Sequence, residues 1–230
     1  MARTTPPDRL EKLIAVAAST FIEHGFHHTQ MDDIAVGLGV SKGTVYRSVD
    51  SKESLLAAVL SYADTPELLP AGGPIKTADL EDVSSNLRKQ LARSVAGLAL
   101  TAAVATRGTN SCPIGSEVEH LAADLFQMMA AHRVRIMVLD RCAVEVPTLG
   151  GEWYESGRYA VVDLWSEYLE QSAGQFESTP HHDALARTIV EIITLWSVKM
   201  PWDPAPRPYP LAMAAPCALM IRHLVTGASS

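Results

Sequence analysis

The stretch TQMDDIAVGLGVSKGTVYRSVDSK, residues 29–52, decides how the rest of the chain is read. Met31, Ile34, Ala35 and Leu38 recur at helical spacing, so a first short helix buries one side. Gly39-Val40 supplies the break, because glycine tolerates the backbone angles of a sharp corner. Ser41 stands where a second helix begins, placed to accept an otherwise unpaired backbone N–H with its hydroxyl. In that second helix Val45 and Val49 turn inward. Lys42, Gly43, Thr44, Tyr46, Arg47 and Ser48 are left outward. A short polar face that starts with small residues suits close approach to a nucleic-acid groove. The stretch reads as a helix-turn-helix.

Upstream, residues 8–24 predict a helix with Leu10, Leu13, Ile14, Ala17, Ala18, Phe21 and Ile22 on one stripe. Gly25 is placed to end it, and Phe26 to pack back beneath the next helix. Thr29 precedes that next helix, where its hydroxyl is expected to cap it or touch a phosphate. Downstream, Asp50 with Glu53 has the form of a capping box opening a helix to about Tyr62. Residues 64–76 carry Pro66, Pro70, Gly72, Gly73 and Pro74 with no apolar period, a hinge.

Beyond the hinge the period is helical throughout. Helices are predicted over 79–105, 117–146, 152–171, 184–199 and 211–225, the last with Pro216 as a possible bend. Pro147, Gly150 and Gly151 break one of them, and the proline-rich run 200–210 separates the last two. No strand and no internal repeat emerges. The fold class is all-α: a three-helix N-terminal head with the helix-turn-helix, and a larger helical body.

Composition sets bounds on function. The chain has 230 residues, 47% hydrophobic, enough to bury a real core. No apolar run reaches the ~18–20 residues of a membrane span, and the start does not read as a signal peptide, so a cytoplasmic protein is expected. The net charge of −7 argues against nucleic acid until it is divided. Residues 1–52 hold six Lys/Arg and six Asp/Glu, whereas residues 53–230 hold thirteen and twenty. The acidic excess therefore lies outside the head, and screening limits its reach to ~8 Å at cell salt.

With head and body laid out, the chain resembles the TetR family of bacterial transcriptional regulators. The resemblance rests on Ala17, Phe21, Gly25-Phe26, Thr29, Ile34-Ala35, Gly39-Val40-Ser41-Lys42-Gly43-Thr44, Tyr46, Ser51-Lys52-Glu53 and Leu55-Leu56. It departs at Ser48 and Val49, where the family commonly has an aromatic pair. The resemblance implies a DNA-binding domain over 1–56 and a ligand-binding and dimerisation domain over 57–230. It also implies a homodimer, usually a repressor, released from its operator by a small molecule; no cofactor is expected.

Within the head, Lys42, Thr44 and Arg47 are expected at base edges or the nearest phosphates, since arginine can offer guanine two parallel donors. Tyr46 is expected to position the helix by bonding a phosphate, with Ser41 and Thr29 beside it. Lys52, at a helix start, is expected to hold another phosphate, and Gly43 to permit close approach. In the body, Phe126, Met129, Met137, Trp153, Tyr159 and Trp165 come from helices that in the family flank the ligand cavity. They favour a fairly apolar effector. The last two helices, 184–199 and 211–225, are the candidates for a self-complementary dimer face.

Rival readings use other residues. Cys112, Cys142 and Cys217, or His181 and His182, would serve a redox- or metal-responsive regulator. A cysteine with His120 or His132 would serve an enzyme. No nucleophile elbow, phosphate loop or paired metal-ligand spacing supports either, and no metal site is expected.

Overall fold

A computed structural model describes residues 7–70, 74–106, 113–173, 181–200 and 213–227. Every regular element among them is helical, and the chain divides into two compact units. The first comprises Met1–Gln90 with Val134–Trp153, the second Leu91–Arg133 with Tyr154–Ser230. The unit that contains the head therefore extends past residue 56 and recruits a later piece of chain.

In the first unit, α1 (Pro7–His28) packs on α4 (Lys52–Tyr62) and on α2 (Met31–Gly37), and α2 packs on α3 (Lys42–Val45). The stripe Leu10, Leu13, Ile14, Ala17, Ala18 and Phe21 is buried as its period requires. Ile34, Val45, Val49, Leu55, Leu56 and Val59 complete this core. Gly25 interrupts α1 at φ +80°, ψ 179°, after which Phe26 folds under and stacks on Phe21 with ring centroids 6.1 Å apart. The corner between α2 and α3 turns at Gly39, φ +66°, where Gly39 and Val40 donate their N–H groups to Val36 and Ala35.

Two expected caps are corrected. Helix α4 is capped by Ser51, whose hydroxyl accepts from Ser54 N at 3.0 Å, and not by Asp50. The Asp50 carboxylate instead accepts from the Ser54 and Thr77 hydroxyls, and Ser54 Oγ accepts from Ala78 N. Asp50 thus ties the start of α4 to residues 77–78. Helix α2 is capped by Gln30 in a capping box with Asp33, not by Thr29.

The unit is closed by α8 (Arg133–Cys142), which is polar-bonded at both ends. The Asp64 carboxylate accepts the N–H groups of Val134 and Arg135 at 2.8 and 2.9 Å, satisfying donors that a helix start leaves open. This capping explains why the predicted helix 117–146 is in fact two helices, parted at His132. At the other end Arg141 donates to His24 O and to Glu145, and Glu145 accepts from His27 N at 2.7 Å.

The second unit holds the end of α5 (Leu80–Ala96), then α6 (Ala99–Thr106), α7 (Ile114–Ala131), α10 (Ala160–Gln171), α11 (His182–Thr194) and α12 (Ala214–Thr226). The predicted helix 79–105 is broken at Gly97-Leu98, and Asp124 caps the new start by accepting from Ala99 N. Helix α12 lies along α7, α10 along α11, and α6 against both α7 and α10. Ser166 donates to Asp183, and Arg158 to Glu191 at 2.6 Å, so α10 and α11 run antiparallel. Their facing ends are widened: residues Glu152–Tyr159 and Leu195–Lys199 form π-helical turns.

Pro147, expected to break a helix, opens the short α9 (Pro147–Gly151) at the position where a missing N–H costs nothing. Pro216 falls in the first turn of α12, where its missing N–H likewise costs nothing. The proline-rich run 201–210 lies outside the described residues.

Candidate nucleic-acid interface

Helix α3 is only four residues long, and it is held from one side. Val45 and Val49 are buried, and Thr44 and Ser48 are also turned inward, 8% and 3% exposed. Lys42, Gly43, Tyr46 and Arg47 make the open face. Space at Gly43 is free: a Cβ built there meets nothing within 4 Å. Tyr46 is 44% exposed. Lys42 extends to Asp32 on α2, with Nζ 2.9 Å from Oδ2, and this hydrogen bond raises the ammonium further above its ordinary value. The cation is therefore fully charged at neutral pH, and the pair is open to water on both sides. Such a pair is weak, so a phosphate can compete for the lysine.

Four of the side chains expected at DNA are engaged within the protein. Thr44 Oγ1 is bonded to Ser41 Oγ at 2.9 Å and accepts from Arg47 Nη2 at 2.7 Å. Ser41 occupies the cap position of α3, yet its hydroxyl bonds Thr44 rather than a backbone N–H. Thr29 is fully buried and spends its hydroxyl on Gly25 O at 2.6 Å, closing the turn after α1. Lys52 is turned inward as well. Its Nζ donates to Phe26 O at 2.7 Å, Thr29 O at 3.0 Å and His27 O at 3.4 Å, and sits 4.5 Å from the Phe26 ring centroid.

The end of α1 leaves carbonyls without intrahelical partners, and an ammonium carries three donors, so lysine at 52 caps that helix from 26 residues away. Lys52→Met keeps the stem but removes the charge-assisted bonds. It is expected to lower the stability of the first unit by about 2 kcal/mol, read as a shift in urea midpoint at unchanged slope. A variant as stable as the parent would return Lys52 to the surface role expected from its position.

The six body candidates are divided between the two units. Met137 and Trp153 belong to the first unit, where Trp153 Nε1 donates to Asp140 at 3.1 Å. Phe126, Met129, Tyr159 and Trp165 belong to the second. There Trp165 is fully buried edge-on to Tyr168, and Met129 Sδ lies 3.6 Å from the Thr194 hydroxyl. Tyr159 is 41% exposed, beneath the Arg187 guanidinium. Phe126 lines an open groove of about 370 Å³ with Gln127, Ala130, Ala131 and Ala214, which none of the other five candidates joins.

The residues of the rival readings are placed as follows. Cys142 and Cys217 are buried, and burial pushes their thiols up to about 12 and about 11, the opposite of a reactive thiolate. Cys112 lies outside the described residues. His181 and His182 open α11, and no group of three metal-ligating side chains occurs among the described residues. No helix among them is long and apolar enough to cross a membrane.

A supported recognition helix with an exposed cationic and aromatic face, set after a glycine corner, defines a helix-turn-helix DNA-binding protein. Residues 13–59 match the family model described as bacterial regulatory proteins, tetR family. Solved structures agree in fold. The TetR family regulator PfmR from Thermus thermophilus is 14% identical over 95% of this chain and 98% of its own, with a TM-score of 0.56. A tetR family regulatory protein from Rhodococcus RHA1 is 17% identical over 94% and 96%, with a TM-score of 0.54. A TetR-like regulator from Rhodococcus sp. RHA1 is 20% identical over 97% and 96%, with a TM-score of 0.51. The head of the chain is thus similar to the DNA-binding segment of the TetR family of bacterial transcriptional regulators, and the whole chain shares the fold of such regulators.

Proposed function

We propose that this regulator is a cytoplasmic repressor that binds a two-fold symmetric operator as a homodimer and leaves it when a small, fairly apolar molecule enters the body. Residues 1–56 act as the DNA-binding domain, and residues 57–230 bind the ligand and the partner subunit. The observation that carries the reading is the open face of α3, where Lys42, Gly43, Tyr46 and Arg47 are exposed while Val45 and Val49 anchor the helix in the core.

Dimerisation through 184–199 and 211–225 is supported by apolar side chains left open to water. Leu195 at the end of α11 and Leu219, Met220 and Leu224 on α12 are each 43–44% exposed. A self-complementary face of this kind would set the two reading heads about one duplex turn apart, ~34–36 Å. The groove beside Phe126 supports an apolar effector, since its lining is alanine and phenylalanine with one amide.

Footprinting the purified protein on the DNA upstream of its own gene and its divergent neighbour tests the reading. Protection of a palindrome, lost on titration with apolar compounds that also quench tryptophan fluorescence, is the expected result. A monomer that ignores duplexes of every composition at low salt would overturn it.

A further inference from the structure

The polar side chains of α3 are not independent. Arg47 Nη2 donates to Thr44 Oγ1 at 2.7 Å, and Thr44 Oγ1 lies 2.9 Å from Ser41 Oγ. Guanidinium is a donor only, so the threonine oxygen must accept from it. The Ser41 hydroxyl, bonded to the same oxygen, steadies the Thr44 hydroxyl with a lone pair toward the arginine. Thr44 itself is 8% exposed, while Arg47 and Ser41 are on the open side. A long flexible side chain on a recognition surface is thereby held from beneath by a buried hydroxyl.

We propose that Thr44 does not touch DNA but is the positioning residue for Arg47, aligning its guanidinium to read a guanine in the major groove. The inference rests on α3 being the DNA-reading helix. Arginine has five N–H donors, and the bond to Thr44 uses one. The others remain for the O6 and N7 acceptors of guanine, which require two parallel donors in one plane. An unrestrained arginine would sample many rotamers and select bases less sharply, because ordering it would cost entropy at the moment of binding. Fixing the plane beforehand turns a general cation into a specific reader. The chemistry names the partner: a G·C pair in each half-site, at the position facing Arg47.

The test is selection of duplexes from a randomised pool by the full-length parent, Thr44→Val, Thr44→Ser and Arg47→Ala proteins, with affinities for the selected duplex and its single-base variants. Valine fills the same buried volume without the acceptor. Thr44→Val is expected to flatten a guanine preference by roughly tenfold to a hundredfold, while affinity for unrelated duplexes at low salt stays near the parent's. Thr44→Ser should restore the preference. In the Arg47→Ala background Thr44→Val should add no further loss, because the two act as one unit. Equal loss on every sequence, retention of the preference by Thr44→Val, or additive losses in the double variant would each overturn the proposal. A parent protein that binds no duplex overturns the DNA-reading role itself, and this inference with it. A parent that selects a sequence with no guanine dependent on Arg47 overturns the inference alone.

Discussion

Gly25→Ala is expected to lower the stability of the first unit by about 3 kcal/mol, enough to shift its melting midpoint by several degrees. Two effects add. The backbone at φ +80°, ψ 179° lies in a region that side chains with a Cβ almost never enter. A Cβ there would also lie on the Glu145 carboxylate, 2.7 Å from its Cδ, and 2.8 Å from Arg141 Cζ. Neither neighbour is free to move away. Glu145 accepts from His27 N at 2.7 Å and from Arg141 Nη1 at 2.5 Å, and Arg141 also donates to His24 O at 2.9 Å. The methyl group therefore strains the turn and unfastens the end of α8 from the end of α1.

The two contributions separate by experiment. Glu145→Ala removes the obstacle, so the double variant should be less unstable than the sum of the singles, the remainder reporting the dihedral strain. The pH dependence supplies an independent check. Burial pushes the Glu145 carboxyl up, but the His27 N–H and the Arg141 guanidinium outweigh it and hold it below its ordinary value of 4.5. A carboxyl depressed in the folded state contributes stability above its unfolded value, and that contribution fades as the pH falls through the folded one. The gap between parent and Gly25→Ala should thus narrow on acidification below 4.5. A gap that stays constant in acid would mean Glu145 keeps its partners in the variant.

How far these features are legible in the sequence follows from the range over which each acts. The core stripe of α1, the corner at Gly39 and the buried valines at 45 and 49 declare themselves through spacing within a few residues, and so does the all-helical class. Lys52 escapes a local reading because its partners, the carbonyls of Phe26, His27 and Thr29, lie 23 to 26 residues away, and no pattern marks a lysine that caps another helix. The Arg141–Glu145 clasp on α1 spans 117–118 residues and leaves no sequence signal at all. Thr44 escapes for a different reason. A helical period assigns one inward stripe, but α3 is only four residues long, and the adjacent Thr44 and Val45 are both buried. In the body, aromatic content points to a cavity, yet Trp153 and Trp165 fall in different units. Composition records that aromatics are present, not which element each one fills.

Gly43→Ala is expected to leave the fold intact and to weaken operator binding roughly tenfold, which makes it the sharpest separation of function from stability in the head. Among the described residues nothing opposes the methyl group, since a Cβ at this position meets no atom within 4 Å and the residue lies inside α3 with no positive φ. Alanine is the better helix former, so thermal stability should hold or rise by up to about 1 kcal/mol. The open space at Gly43 is flanked along the chain by Lys42 and Arg47, the exposed cations of α3 and the turn that follows it. If a duplex occupies that space, a methyl group holds the helix away from it and stretches every flanking contact at once, including the arginine whose hydrogen bonds to a base tolerate little displacement. Melting curves together with a shift assay on the footprinted operator decide the matter. A stable variant with weakened binding places DNA against Gly43. A stable variant with parental affinity would place the duplex elsewhere on the head, and with it the reading of Lys42 and Arg47 as its contacts would fall.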